Sequence, residues 1–328
     1  MRHLNRAIIR HLRIPGLLAI ACLTVGPSGT ARGQQNFDNV EIETLHIRDN
    51  IFMLVGAGGN ITVQIGEDGV LIVDTQFAPL SEKIVAAIAE LSDLPIRYII
   101  NTHYHPDHVG GNENLRVAGN TVIGGNMPGA VPYAGAGAQI VSHENVLLRL
   151  SGAFGGEASP PGIWPTNTFF NDEKKMYYNG EGIRIIHLPA AHTDGDAIVF
   201  FRRSDVIAAG DVFRTTSYPR IDLAAGGSYV GTMDALNVIR DIIIPVYGQD
   251  GGTIVIPGHG RVSGLGDVLD FREMVIVIHD RLVEMINAGM TLEQIKAARP
   301  TFDYDPVYAT AEGAADAFVE AAYQSLTQ

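Results

Sequence analysis

A layered α/β fold is what this sequence predicts, and three observations predict it. Short apolar runs separated by Gly-rich punctuation crowd the first part of the chain. Strand-like and helix-like stretches then alternate to the C-terminus. Five of the apolar runs finish on His or Asp, at the strand ends where α/β sheets gather functional groups. The composition agrees. With 46% hydrophobic and 18% charged residues and no low-complexity tract, the chain has the makings of a sizeable core.

Residues 1–34 stand apart from that fold. "MRHLNRAIIRHLR" carries Arg2, Arg6, Arg10 and Arg13 and no acid, "IPGLLAIACLTVG" is apolar, and "PSGTARGQQ" is small and polar. This is the order of an export signal, with cleavage expected between Ala31 and Gln35. The apolar run is too short to span a bilayer comfortably. An uncleaved anchor and a lipid-modified Cys22 are the rival readings. Cleavage would remove the single cysteine and five arginines, taking the formal charge from −13 to about −18. The mature protein is then expected to be periplasmic or secreted and off the membrane, with no disulfide and no thiolate ligand. An acidic chain argues against a nucleic-acid partner, which needs a basic face, and points to a small-molecule substrate. Residues 35–328 are expected to form a single domain with a helical C-terminal extension.

Within that domain "IFMLVG", "NITVQIG" and "GVLIVDT" read as hairpin strands. "LSEKIVAAIAELSD" has helical spacing after Ser81, a candidate N-cap. "IRYIINT" is a strand and "HVGGNENLRVAG" helical. Residues 125–165 are rich in Gly and Pro and resist assignment, apart from a short helix at "SHENVLLRL" capped by Ser142. Strands follow at "NTFFND", "KKMYYN", "GIRIIHLP", "AIVFFRR" and "DVIAAGD". A helix is predicted over "YVGTMDALNVIRDII", a strand at "GGTIVIPGHG", and helices over "DVLDFREMVIVIHDRLVEMINAG", "TLEQIKAARP" and "GAADAFVEAAYQSL".

The chemistry concentrates in "HYHPDH", where His103, His105, Asp107 and His108 fall within six residues. Imidazole nitrogen and carboxylate oxygen are good ligands for zinc and similar divalent ions. His103 and His105, two apart, can reach one ion together if the chain is extended there. After Pro106 the chain must leave that geometry, so Asp107 and His108 could serve a second ion. Further candidates sit at other strand ends: Asp74 in "VLIVDT", His192 in "IIHLPAAHTDGD", Asp211 in "VIAAGDVF" and His259 in "TIVIPGHG".

On these motifs, which span roughly residues 51–260 in the expected order, the chain resembles the metallo-β-lactamase superfamily. The resemblance implies a four-layer αββα sandwich with two zinc ions at one sheet edge, iron being the alternative metal. It implies that His103, His105 and His192 hold the first ion, that Asp107, His108 and His259 hold the second, and that Asp211 bridges them. Asp74 would support the ligand loop by hydrogen bonding. The implied reaction uses a hydroxide bridging the two zinc ions to attack an ester, thioester, lactone or lactam-type carbonyl, with Asp107 orienting the nucleophile. An aspartate at position 211 resembles glyoxalase II-like thioesterases and lactonases more than the main β-lactamase subclass, which has cysteine there. No lysine lies between Asp211 and His259 to grip a substrate carboxylate, leaving Arg214 and Arg220 as substitutes. Two alternatives stay open. One is a β-lactamase proper. The other is a mononuclear-iron persulfide dioxygenase using His103, His192 and Asp211. Outside the constellation, His187 is expected to pack, His143 to sit in a helix's first turn, and Asp196 to brace a turn. Trp164 and Phe154 are expected either to form a lip over the site or simply to pack within their loop.

Overall fold

The computed structural model describes residues 36–120, 137–243 and 251–328; the export-signal segment lies outside them. Residues 37–328 form one compact unit. Seven strands build the first sheet, in the order β1 (Glu43–Arg48), β2 (Ile51–Val55), β3 (Ile61–Gln64), β4 (Val70–Val73), β5 (Ile96–Ile100), β6 (Gln139–His143) and β7 (Asn167–Phe169). The first four pair antiparallel, and β4 to β7 run parallel. The second sheet comprises β8 (Glu173–Tyr178), β9 (Glu181–His187), β10 (Ala197–Phe201), β11 (Val206–Ala208) and β12 (Ile254–Ile256). Its order is β12-β11-β10-β9-β8, with only β11 and β12 parallel.

The sheets stack face to face, and alternation along each strand shows how. In β4, Leu71 and Val73 join β10's Val199 and Phe201 between the sheets. Val70 and Ile72 point the other way, onto α1 (Ser81–Ala89) and, past the short α2 (Pro106–Val109), onto α3 (Asn112–Ala118). An irregular register between β4 and β5 lets Arg97 drop out of the alternation, so Ile96 faces the helices while Ile100 faces the second sheet. Beyond α4 (Glu144–Leu150), the remaining helices cover the second sheet: α5 (Tyr229–Ile243), α6 (Leu265–Asn287), α7 (Leu292–Ala298), α8 (Asp305–Tyr308) and α9 (Ala314–Thr327). Ile198, Ile207 and Val255 bury against Leu236, Phe271 and Phe318 of this layer. The result is the αββα sandwich, with every strand of the two sheet centres buried on both faces. No helix among the described residues is long and apolar enough to cross a membrane.

Two helix starts differ from the sequence reading. Ser81 is the first residue of α1 rather than its cap, because a 3-10 turn over Ala78–Leu80 feeds straight into the helix. Ser142 belongs to β6, and the α4 cap is His143, whose Nδ1 accepts from the Asn145 amide at 3.3 Å. β1, β6 and α8 are short and were not expected. Helices α6 to α9 follow Gly264.

Candidate metal centre

The site is built where β4, β5, β11 and β12 end. Asp74 follows β4 with a φ of 66°, a conformation that aspartate tolerates better than most residues. His103 and His105 follow β5. His105 is extended and caps α2, and Pro106 starts that helix. The turn from extended to helical backbone therefore falls between His105 and Asp107, which is what aims the two halves of the motif in different directions. His192 lies in the connection from β9 to β10. Asp211 sits in a 3-10 turn after β11, and His259 follows β12.

Three groups of side chains converge with their ligand atoms within 4.8 Å of one another: His103, His105 and His192; His103, His108 and Asp211; and Asp107, His108 and His259. Asp211 lies between the groups. Its Oδ1 is 3.3 Å from Nε2 of both His108 and His259, and its Oδ2 is 3.8 Å from His192 Nε2. The His103 Nε2 and Asp211 Oδ1 atoms are buried and make no hydrogen bond among the described residues. Converging, buried, unpaired donor atoms of this kind fit a bound cation.

Four of the imidazoles are oriented by a partner on the other ring nitrogen. Thr102 Oγ1 lies 3.0 Å from His103 Nδ1 and itself donates to Asp74 Oδ2 at 2.7 Å. Asp74 Oδ2 also accepts from His108 Nδ1 at 2.7 Å. The Arg220 carbonyl accepts from His192 Nδ1, and Asp222 Oδ2 accepts from His105 Nε2 at 3.0 Å. Each contact frees the opposite nitrogen to face the centre and fixes the ring plane, as metal-binding histidines require. The Asp196 carboxylate accepts from the amide and hydroxyl of Thr193, bracing the turn that presents His192. Burial pushes its carboxyl up to about 8.

The electrostatics divide the histidines. Burial, with the charges of His108 and His192 adding to it, lowers His103 well below an ordinary histidine. Burial brings His192 down to about 4. Burial would lower His108 too, but the carboxylates of Asp211 and Asp74 outweigh it and raise its pKa. For Asp211, burial is overcome by His108 and Arg214, which hold the carboxyl well below its usual range. For Asp107, the hydrogen bond from His259 and the charge of His108 likewise overcome burial. Asp211 and Asp107 are thus ionised and His103 and His192 neutral at neutral pH, the states that metal binding needs, whereas His108 is held protonated by its two carboxylate neighbours and would give up that proton to a bound ion.

All eight residues singled out in the sequence, Asp74 included, meet at this one edge. Asp222 and Thr102 were missed. Thr102 is adjacent to the motif, but Asp222 is far along the chain in "YPRIDLAAGGS" and carries no spacing signal. His187 packs as expected, stacked on His143 with ring centroids 3.6 Å apart. Trp164 packs with Tyr104, Val109, Val146 and Leu150 and donates to the Ser159 carbonyl, which seats its loop against the segment bearing Asp107 and His108.

A family model described as the metallo-beta-lactamase superfamily matches residues 54–259. A curated relative, the linear primary-alkylsulfatase of Pseudomonas sp. (strain ATCC 19151), is 24% identical over 259 residues, covering 70% of this chain and 47% of that protein. The chain therefore spans about half the length of that relative. A solved double mutant of the sec-alkyl sulfatase PisA1 superposes with a TM-score of 0.58 at 15% identity, over 78% of this chain and 45% of that one. The metallo-beta-lactamase from Pontibacter korlensis gives 0.53 at 15% identity, over 71% and 99%. The DIM-1 metallo-beta-lactamase gives 0.52 at 16%, over 72% and 98%. At these identities the structural likenesses speak for the fold.

Proposed function

Since the chain belongs to the metallo-β-lactamase superfamily, we propose that it is a hydrolase that works with two metal ions, zinc first among the candidates, on an ester-type bond of a small molecule. His103, His105 and His192 would hold one ion and Asp107, His108 and His259 the other, with Asp211 between them. The observation that carries this reading is the Asp211 carboxylate, whose two oxygens face different histidine groups. Ions held there would supply Lewis acidity, making water a nucleophile near neutral pH and polarising the oxygen under attack.

The chain's own residues do the rest. Asp74, Thr102, Asp222 and the Arg220 carbonyl fix the imidazole planes. Asp107 is half-buried at the mouth of the site and ionised, placed to orient an attacking water and accept its proton. Alkyl sulfate esters are the first substrate class to test, because a curated relative and a solved structure are both named alkylsulfatases. Carbonyl esters, thioesters and lactones, suggested by an aspartate at position 211, come second, and β-lactams third.

The test is elemental analysis of protein produced with zinc and iron both available, followed by assays across those classes. About two zinc per chain and hydrolysis of one class would support the proposal. One iron per chain, with oxygen consumed on a persulfide, would replace it with the dioxygenase reading. Export through residues 1–34 is proposed as well; N-terminal sequencing of the protein recovered from the periplasm or medium checks it.

A further inference from the structure

A cleft of about 280 Å³ lies between residues 214–221 and α9 and adjoins the candidate metal centre at Arg214, which contacts Asp211. Its wall is apolar: Tyr218, Ile221, Phe318 and the small side chains of Ala317 and Ala321 line it. The wall is also preformed. Tyr218 stacks on Phe318 with centroids 4.7 Å apart and planes 1° apart, and its hydroxyl donates to Asp305 Oδ1 at 2.9 Å. The alanines of α9 leave room along the helix that longer side chains would fill.

Arg214 and Arg220 also line this cleft, and both are tied to the metal centre. The Arg214 Nη1 is 3.5 Å from Asp211 Oδ2, while its Nε is buried with no hydrogen-bond acceptor among the described residues. Arg220 supports His192 through its carbonyl and leaves its side chain exposed. Two guanidinium groups beside an apolar wall are a local exception in a chain with a net charge of −13. The neighbouring cleft on the other side of Arg214 and Tyr308 also holds Arg261, but there Asp267 pairs with Arg261 and Asp270 adds a further negative charge, which disfavours an anion. Guanidinium donors at one end and an apolar wall beyond them fit an anionic group carrying a hydrocarbon chain.

Resting on the hydrolase reading above, we propose that this cleft binds the linear alkyl tail of an anionic ester substrate, with Arg214 receiving the anionic group beside the metal centre. A free alkyl sulfate and a longer molecule ending in the same group share this chemistry; the chain-length series below separates them.

The experiment is calorimetric binding of the non-hydrolysable butyl, hexyl, octyl and decyl sulfonates to the metal-loaded protein, below their micelle concentrations. Wild-type affinity should rise roughly three- to fourfold per methylene that enters the cleft. A plateau within the series marks a free alkyl anion as the fitting ligand, and a rise continuing to decyl marks a longer one. Ala317→Trp, at an exposed position on α9, should flatten the rise while metal content stays at the wild-type value. Ala321→Met is the milder filling variant and should flatten it in part. Arg214→Gln should remove the preference for a sulfonate over the alcohol of equal length. Affinity independent of chain length, or a rise that both cleft variants leave intact, would overturn the proposal. Because binding and not turnover is read, a protein that hydrolyses none of the assayed esters would count against the hydrolase reading and leave this result standing by itself.

Discussion

His143 shows how much a single titratable side chain can do here. Its neutral Nδ1 accepts the Asn145 amide that starts α4, and its ring lies flat on His187. Burial, with the neighbouring His187 adding to it, brings its pKa down to about 4, against the opposing charges of Asp194 and Asp172. Protonation would destroy the acceptor and place a charge against the stacked ring. A depressed histidine favours folding while it stays neutral, so its contribution is complete above about pH 6.5 and is lost as the pH falls towards 4. Thermal melts with a chelator present should therefore show a fall of a few degrees between pH 6.5 and 4.5. His143→Asn keeps a capping oxygen without the titration and should show a shallower fall; equal slopes in the two proteins would remove His143 from the account. Asp222 makes a different kind of contribution. It accepts from His105 Nε2 and Tyr104 Oη, and hydrogen bonding from His105 holds its carboxyl well below the usual range against burial. Asp222→Ala should weaken metal binding at the His103, His105 and His192 group by about 10- to 100-fold, read by competition with a chromophoric chelator. The candidate ligands were legible in the sequence because metal chemistry restricts such residues to few types, here crowded at strand ends. Asp222 was not, because an aspartate that orients an imidazole through one hydrogen bond looks like any other turn aspartate.

Elements deliver these side chains, and close backbone approach keeps them in register. Asn60, in the turn between β2 and β3, donates to the carbonyls of Pro257 and Gly260, and the Gly59 amide donates to the Asp107 carbonyl. That turn thereby ties the loop bearing Asp107 and His108 to the loop bearing His259. Across the site the Gly258 amide donates to the Gly210 carbonyl at 2.7 Å, and a Cβ on Gly258 would collide with Asp211 Oδ1 and the Gly210 backbone. Gly258→Ala should displace the carboxylate between the two groups. The expected outcome is reduced metal content by elemental analysis with far-UV circular dichroism unchanged; full metal content would show that the loops can yield. Most elements were legible: the long amphipathic helices α5, α6 and α9 follow from helical periodicity, and the strands β2 to β5 from short apolar runs bounded by turn residues. The misplaced starts have local causes. Ser81 and Ser142 are good capping residues by type, but a preceding 3-10 turn and a strand running on to His143 take over the two positions. β1 was missed because it is mostly exposed and its alternation of Leu45 and Ile47 with His46 and Arg48 is only four residues long.

At the scale of the whole molecule, three apolar layers alternate with two sheets, and the metal centre occupies one edge of that stack. The opposite edge is held by polar groups. Glu181 at the start of β9 is 2% exposed, yet its carboxylate is fully engaged. Oε1 accepts from Gln64 Nε2 on β3 and from Ser204 Oγ, both at 2.8 Å. Oε2 accepts from the amides of Arg203 and Ser204. Gln64 belongs to the first sheet and Glu181 to the second, so this one carboxylate joins the sheets where the apolar layer between them ends. Glu181→Ala would strand the buried Gln64 amide nitrogen and two backbone N–H groups at once, leaving the Ser204 hydroxyl only its longer contact to Asn50 Oδ1. Leaving buried donors unsatisfied costs about 1–3 kcal/mol each when water cannot reach them, and partial hydration of the new cavity lowers the sum. A loss of roughly 3 kcal/mol or more in urea denaturation is expected. Because β3 and β9 separate this edge from the candidate metal centre, the same variant should retain its metal content and whatever hydrolytic activity the wild type shows under folding conditions. Loss of metal together with stability would mean that the two edges are coupled through the sheets, and that the centre depends on the whole sandwich rather than on the loops that carry it.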